Sequence, residues 1–106
     1  MDDAPVMTAA RLTLASRAVP SDAVVTRELD GETVLLNLDT GIYFGLDAVG
    51  TRIWSLLAAA EPLDRVLATL LAEYEVEAAP LEHDLLALVA QLRGKGLVTV
   101  SPPDPS

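Results

Sequence analysis

The chain has 106 residues, no cysteine and a formal net charge of −9. Its length fits one domain with a core of its own, the missing cysteines exclude disulfides and thiolate metal ligands, and the acidic balance disfavours binding to nucleic-acid backbones and anionic lipid. The N-terminus lacks the apolar run of a signal peptide, and no stretch is long enough for a transmembrane helix, so we expect a cytoplasmic protein.

The two ends of the chain differ in composition from its middle. Residues 1–20 show no hydrophobic period, and we predict a flexible arm there with one short strand at residues 11–14. Residues 21–100 are predicted to form the folded domain. Residues 101–106 contain three prolines, which cannot continue a helix or a central strand, so this tail is predicted to be disordered.

A β-hairpin is predicted at the start of the domain. The segment Val24–Leu29 is rich in residues that favour strands, and Asp30-Gly31 follows it. This dipeptide is typical of a two-residue hairpin turn, because both turn positions need positive φ. The returning strand covers residues 33–38. Three of its apolar residues share one face by the period of two: Val34, Leu36 and Leu38.

A second tight turn and a third strand complete a three-stranded antiparallel meander. Asp39-Thr40-Gly41 forms the turn, and residues 42–46 form the strand. A meander has two edge strands, whose unpaired N–H and C=O groups can pair with another chain. The third strand contains neither Lys nor Pro, the residues that commonly block such pairing. It is therefore a candidate for binding an extended peptide by strand addition.

Three helices follow, indicated by apolar residues at steps of three and four. Asp47 is predicted to cap the first helix with its carboxylate, and Pro80 opens the third. Gly94 and Gly96 end the third helix, and residues 97–100 form a short final strand. The predicted apolar stripes are Val49, Ile53, Leu56, Leu57 and Ala60 in the first helix, Leu63, Val66, Leu67, Leu70, Leu71 and Tyr74 in the second, and Leu81, Leu85, Leu88, Val89 and Leu92 in the third.

No catalytic set of residues emerges from the sequence. The single histidine, His83, lies between Glu82 and Asp84, and neighbouring residues of a helix point about 100° apart, so the three cannot share one metal ion. No nucleophile motif, phosphate-binding loop or dinucleotide-binding loop occurs. We therefore expect no metal, no cofactor and no enzymatic activity.

The ordered motifs of residues 32–57 resemble the signature of a known family. They read ETVLLNLDTGIYFGLDAVGTRIWSLL, which comprises a strand, an Asp-x-Gly turn, a strand with an aromatic pair, and a helix that opens near a glycine and carries Trp54. Together with the later helices, the resemblance covers about residues 24–100. The chain resembles the PqqD-like family of leader-peptide recognition elements. This implies an α+β, winged-helix-like fold, in which a three-stranded antiparallel meander is followed by three helices in the order βββααα.

The resemblance also implies a groove between the third strand and the third helix, where the leader segment of a precursor peptide adds as an extra strand. The peptide-binding residues would be Ile42, Tyr43, Phe44, Gly45, Leu46, Asp84, Leu85, Leu88 and Val89. The apolar ones fit a core as well as a groove, and Gly45 fits a bulge as well as a close approach of the peptide backbone. Asp84 fits a solvated charge as well as a partner for a basic leader residue, and Trp54 is assigned to the core.

We therefore predict a non-catalytic module that captures the leader segment of a ribosomally made precursor and delivers it to a maturation enzyme, such as a leader protease or a radical-SAM enzyme. The run at residues 36–46 favours the lasso-peptide system. The alternative is a winged-helix DNA-binding regulator with the third helix as recognition helix. Glu82 and Asp84 on that helix argue against it, and we expect no nucleic-acid or membrane partner. A third alternative is a structural subunit whose complex with an enzyme is independent of the leader.

Overall fold

The computed structural model describes residues 12–101. It is an α+β fold with three helices and two antiparallel sheets. In chain order the elements are β1 (Arg17–Pro20), β2 (Val24–Leu29), β3 (Glu32–Asn37), β4 (Tyr43–Leu46), α1 (Ala48–Leu57), α2 (Leu63–Glu73), α3 (Ala78–Gly94) and β5 (Val98–Ser101). Within this part of the chain, none of the helices has the length and apolar character that a membrane span requires.

The three predicted strands form one sheet in the order β2-β3-β4. The β2–β3 hairpin turns at Asp30 and Gly31, whose φ angles are 54° and 83°, so the two-residue turn predicted from the sequence is confirmed. The turn before β4 is also confirmed, with Gly41 at a φ of 76°. The predicted meander is therefore present, and β4 lies at one edge of it.

The two faces of β3 differ in what they contact. Thr33, Leu35 and Asn37 are buried against the helices, whereas Val34 and Leu36 lie half-buried on the outer face. The face that the sequence marks as most apolar is therefore the outer one. Several exposed or half-buried residues of the neighbouring strands extend this outer apolar surface: Val25, Leu29 and Tyr43.

A second, two-stranded sheet pairs the two ends of the described chain. β1 and β5 are antiparallel, with Ala18 opposite Val100. The order βββααα is incomplete, because β1 precedes the meander, whereas β5 after the helices corresponds to the short final strand predicted at residues 97–100. The strand predicted at residues 11–14 is also misplaced: residues 12–14 are not in a strand, and residue 11 lies outside the described part.

The position of β1 has a physical cause that local sequence patterns do not show. Its conformation depends on pairing with β5, at the far end of the described chain, and a sequence of four residues carries no period of its own. The side chain of Ala18 is fully buried in the core. β1 lies in the segment predicted as a flexible arm, and the boundaries of residues 1–20, 21–100 and 101–106 stay predictions.

All three helices form where the apolar stripes predict them, but Val49 and Ala60 of the first stripe are exposed, and Ala60 lies beyond the end of α1. The carboxylate Oδ1 of Asp47 accepts a hydrogen bond from the Gly50 N–H at 2.8 Å, which confirms the predicted N-cap of α1. α3 begins two residues before Pro80, and Gly96 follows its C-cap with a φ of 70°. The buried core joins both sheets to all three helices and includes Leu35, Leu46, Ile53, Trp54, Leu57, Leu63, Val66, Leu70, Leu85, Val89, Leu92 and Leu97.

Candidate functional site

The outer edge of β4 carries unpaired backbone groups. The Asn37 N–H donates to the Ile42 carbonyl at 2.9 Å, which fixes the phase of the β3–β4 ladder. Hydrogen-bonded pairs alternate along an antiparallel ladder, so the backbone groups of Phe44 and Leu46 face β3, whereas those of Tyr43 and Gly45 face away from it. No other strand of residues 12–101 pairs with this side of β4. The backbone N–H and C=O groups of Tyr43 and Gly45 are therefore available to pair with an added strand.

Helix α3 runs along the molecule with one face in the core and another in contact with solvent. Leu85 and Val89 are 0 % exposed and anchor the helix. Asp84, Leu88 and Gln91 follow one another at steps of four and three, so they share a second face. Asp84 and Gln91 on this second face are exposed, and Leu88 is half-buried.

An open groove of about 530 Å³ lies between β4, α1 and α3. Its lining residues come from all three elements and from the turn between the first two: Phe44, Gly45, Leu46, Asp47, Val49, Gly50, Ile53, Asp84, Leu88 and Gln91. The apolar members form the floor and one wall, and the polar members lie along α3 and at the β4–α1 turn. Such a mixture of apolar surface with a few polar groups is typical of a ligand site.

One buried side chain, Asn37, fixes the distance between β4 and the end of α3. Its Nδ2 donates to the carbonyls of Lys95 and Gly96 at 3.2 and 3.1 Å. Its Oδ1 accepts from the N–H groups of Asp39 and Thr40 at 2.8 and 3.3 Å. A side chain at Gly96 would come within 2.9 Å of the Asn37 amide, so only glycine fits there. Asn37 thus binds the β3–β4 turn to the α3–β5 turn.

The same connection places a cation, Lys95, beside a residue that lines the groove. The Nζ atom of Lys95 lies 5.9 Å from the centroid of the Phe44 ring, within the range of a cation–π contact. Two carboxylates line the groove farther along both elements, because Asp47 follows β4 and Asp84 lies in the second turn of α3. The groove therefore has an acidic end and a basic end.

Comparison with known proteins assigns the family. Residues 32–98 match the family model described as coenzyme PQQ synthesis protein D (PqqD). The chain belongs to the PqqD family. No curated protein matches it. The match covers the meander from β3 onward, all three helices and the start of β5, so it includes every element that lines the groove.

Two solved structures are similar to this PqqD-family chain. One is TbiB1 in complex with the TbiA(beta) leader peptide, at 46% sequence identity and a TM-score of 0.71, covering 76% of this chain and 93% of that chain. The other is lasso peptide synthetase B1 complexed with the leader peptide, at 28% identity and a TM-score of 0.71, covering 78% of this chain and 98% of that chain. The resemblance to the PqqD-like family that the sequence indicates is thus confirmed.

The structure brings five of the nine predicted site residues together and places four elsewhere. Phe44, Gly45, Leu46, Asp84 and Leu88 line the groove. Leu85 and Val89 lie in the core, Ile42 precedes β4, and the Tyr43 side chain is 69% exposed on the outer face of the sheet. Only the backbone of Tyr43, and not its side chain, lies at the edge of the groove. Whether these residues bind a peptide stays a prediction.

Other groove residues were not singled out from the sequence. The periodicity of α1 predicts Val49 and Ile53 as buried, but Val49 is exposed, and both residues line the groove. Gln91 continues the row that begins at Asp84, and a step of seven residues along α3 finds it. Lys95, the C-cap of α3, lies beside the lining residue Phe44 because of tertiary contacts that the sequence does not show. Asn37 had one local signal, an Asn directly before an Asp-Thr-Gly turn, but its bonds to residues 95 and 96 are not visible in the sequence.

The chemistry that this groove offers is binding. It presents backbone donors and acceptors, an apolar floor and charged ends. Within residues 12–101 no group of three or more His, Cys, Asp or Glu side chains lies close enough to hold a metal ion. His83 is exposed and does not line the groove.

Proposed function

We propose that this chain is a leader-peptide recognition module, which captures the leader segment of a ribosomally made precursor by strand addition to β4. The observation that carries this proposal is the free edge of β4 beside an open groove, in a fold shared with two proteins solved in complex with leader peptides. One of those proteins is described as lasso peptide synthetase B1, which favours the lasso-peptide system here.

Strand addition divides the binding energy between backbone and side chains. The N–H and C=O groups of Tyr43 and Gly45 would bond the leader backbone and supply affinity for any extended peptide. Phe44, Leu46 and Leu88 would contact alternate leader side chains and supply selectivity. A Cβ added at Gly45 would meet nothing within 4 Å, so the glycine is not required by the fold and leaves room for the peptide.

The proposed role is non-catalytic, because it consists of holding the precursor near an enzyme. Tethering through a short flexible segment raises local substrate concentration to about millimolar. The partner would be a maturation enzyme in the cytoplasm, such as a leader protease or a radical-SAM enzyme. The arrangement of β2–β4 with α1–α3 supports a winged-helix-like description of the fold, in which β4 and α3 frame the site.

The DNA-binding alternative is not supported by the charges of the proposed recognition helix. Asp84 and His83 are exposed on α3, and its only basic residue besides the histidine is Arg93 in the last turn. Duplex binding depends on several cations that neutralise phosphates. A chain with a net charge of −9 would oppose such binding.

The proposal is tested by assaying a maturation enzyme with and without this protein. The substrate pair is a precursor peptide, sought among the short reading frames beside this chain's gene, and the same peptide without its leader. We expect the module to lower the apparent KM for the full precursor and to change that for the leaderless peptide much less. Equal stimulation of both substrates would indicate activation of the enzyme instead, and cleavage or modification by this chain alone would refute the non-catalytic role.

A further inference from the structure

The two ends of the groove carry opposite charges, and both sets of charges are available to a ligand. Asp84 is exposed and has no hydrogen-bond or ion-pair partner within residues 12–101. Lys95 contacts the face of the Phe44 ring, and no carboxylate of the described chain pairs with its ammonium group. Asp47 uses Oδ1 to cap α1, which leaves Oδ2 free.

The distance between Asp84 and Lys95 corresponds to the length of a short extended peptide. Asp84 and Lys95 are eleven positions apart along α3, which corresponds to about 16 Å at 1.5 Å per residue. A strand rises about 3.3 Å per residue, so this distance spans roughly five residues of a bound peptide. Side chains on the same face of a strand are an even number of positions apart. Two charged peptide residues directed at α3 would therefore be four or six positions apart.

The direction of the bound strand fixes the order of those two residues. The other pairs of this sheet are antiparallel, and antiparallel pairing is slightly more stable per residue than parallel pairing. β4 runs from Phe44, beside Lys95, towards Asp47 at the acidic end. A strand added antiparallel to β4 enters at the acidic end and leaves at Lys95.

We propose that the groove selects a peptide by its charge order: a basic residue first and an acidic residue four or six positions later. The basic residue lies against Asp47 and Asp84, and the acidic residue lies against Lys95. This inference rests on the proposed function and names the class of segment that the site accepts. The apolar floor then holds the residues between the two charges, and reversing their order places like charges together at both ends.

The full-length chain can be tested with a displayed library of random peptides of about fifteen residues, selected on the wild type and on charge variants. The informative variants are Asp84→Lys and Lys95→Glu, because both side chains are at least partly solvated and neither caps a helix through its side chain. Matched controls make the same charge changes on the same helix outside the groove lining: Glu82→Lys and Arg93→Glu. Circular dichroism checks that each variant is folded, and Lys95→Gln replaces Lys95→Glu if that variant does not fold.

We expect wild type and controls to enrich peptides with the basic-then-acidic order, and each groove variant to reverse the preference at one of the two positions. In titrations of single selected peptides, exchanging the two charges should weaken binding to wild type by roughly tenfold, the effect of a few partly exposed ion pairs.

Two results would overturn this inference and leave the proposed function standing. The enriched peptides could bind in the groove without any charge order, or they could show the same charge order for wild type and groove variants. If no peptide is enriched above an unrelated protein of the same size and charge, peptide capture itself fails, and the inference fails with it.

Discussion

β2 and β4 are the two edges of one sheet, yet they differ in what surrounds them. Both have a side that no strand of residues 12–101 covers. Because hydrogen-bonded pairs alternate along each ladder, the backbone N–H and C=O groups of Thr26 point away from the sheet on β2, as those of Gly45 do on β4. β2 is exposed at five of its six positions and carries Arg27 and Glu28, whereas β4 lies beside a groove that α1 and α3 complete.

The difference shows that an unpaired edge is a necessary condition for strand addition and that a second element makes it selective. A peptide on β2 would meet the outer apolar surface of the sheet, to which Val25 and Leu29 contribute, but none of the residues around that surface comes from a helix. A peptide on β4 would also contact Phe44, Leu46 and Leu88. Binding therefore depends on the position of α3 relative to β4, and the predictions below test this comparison.

The largest expected effect comes from removing one outward donor of β4. Gly45→Pro deletes an N–H that faces away from β3, so the meander keeps its internal bonds while leader binding falls by at least about a hundredfold. The matched control, Thr26→Pro, removes the corresponding N–H on β2 and should leave leader affinity unchanged. Titration with labelled leader peptide measures both variants, and circular dichroism reports whether they fold. A folded Gly45→Pro variant with wild-type affinity would show that β4 is not the docking edge.

The two faces of α3 should separate stability from affinity. Leu85 is fully buried, so Leu85→Ala should lower the free energy of unfolding by about 2–5 kcal/mol. Leu88 is half-buried and lines the groove, so Leu88→Ala should cost less stability and weaken leader binding. Urea titrations and leader titrations on both variants give the two quantities. If both lose stability alone, α3 does not form a wall of the site.

A smaller effect is expected from loosening the groove at its basic end. Asn37→Ala removes four hydrogen bonds and leaves the carbonyls of Lys95 and Gly96 without this partner. We expect a loss of about 2–3 kcal/mol in unfolding free energy, from the hydrogen bonds and the groups left unsatisfied. Because Lys95 then loses its fixed position beside Phe44, affinity for the leader should fall further than in a variant of equal stability at a distant core site, such as Val66→Ala.

Most of the secondary structure could be predicted from the sequence, because it depends on local signals. Asp30-Gly31 specifies its turn, Asp47 caps its helix, and four of the six residues of the α2 stripe are buried as their spacing indicates. The misplaced strand near the N-terminus and the outer face of β3 depend on contacts distant in sequence. On β3 the polar Thr33 and Asn37 are buried beside Leu35, because Asn37 finds its partners in the turn after α3.

The residues of the candidate site also differ in whether local sequence signals or distant contacts determine their positions. The edge residues of β4 and the groove-facing Asp84 and Leu88 follow from local pattern together with the family resemblance. The sequence does not separate Leu85 and Val89 from Leu88, because a stripe of four- and three-residue steps does not show where the buried part of a helix ends. Lys95 could not be assigned, because its place beside Phe44 arises from the tertiary bonds of Asn37.

The smallest effect is expected at an ion pair that lies away from both sheet edges. The Arg52 guanidinium donates two hydrogen bonds to the Glu73 carboxylate, at 2.9 and 2.6 Å, and thereby joins α1 to α2. These bonds lower the pKa of Glu73 below its ordinary value of 4.5. The pair's contribution to stability is therefore complete above the unfolded-state pKa and is lost as the pH falls through the folded-state pKa.

Glu73→Gln should accordingly lower the melting temperature slightly at pH 7, and the difference from wild type should shrink as the pH drops below 4.5. Leader affinity at pH 7 should not change, because neither residue lines the groove. A larger difference at acidic than at neutral pH would contradict the assignment of the pair, and a change in affinity would mean that the α1–α2 contact helps to shape the site.

The most direct test of strand addition at β4 is the exchange of individual backbone amides, followed by NMR with and without leader peptide. The outward N–H groups of Tyr43 and Gly45 should exchange rapidly in the free protein and become protected on binding, because they gain hydrogen-bond partners. The outward N–H groups of Thr26 and Glu28 on β2 should exchange at the same rate in both states. Protection of the β2 amides instead, or binding that leaves Tyr43 and Gly45 unprotected, would contradict the account.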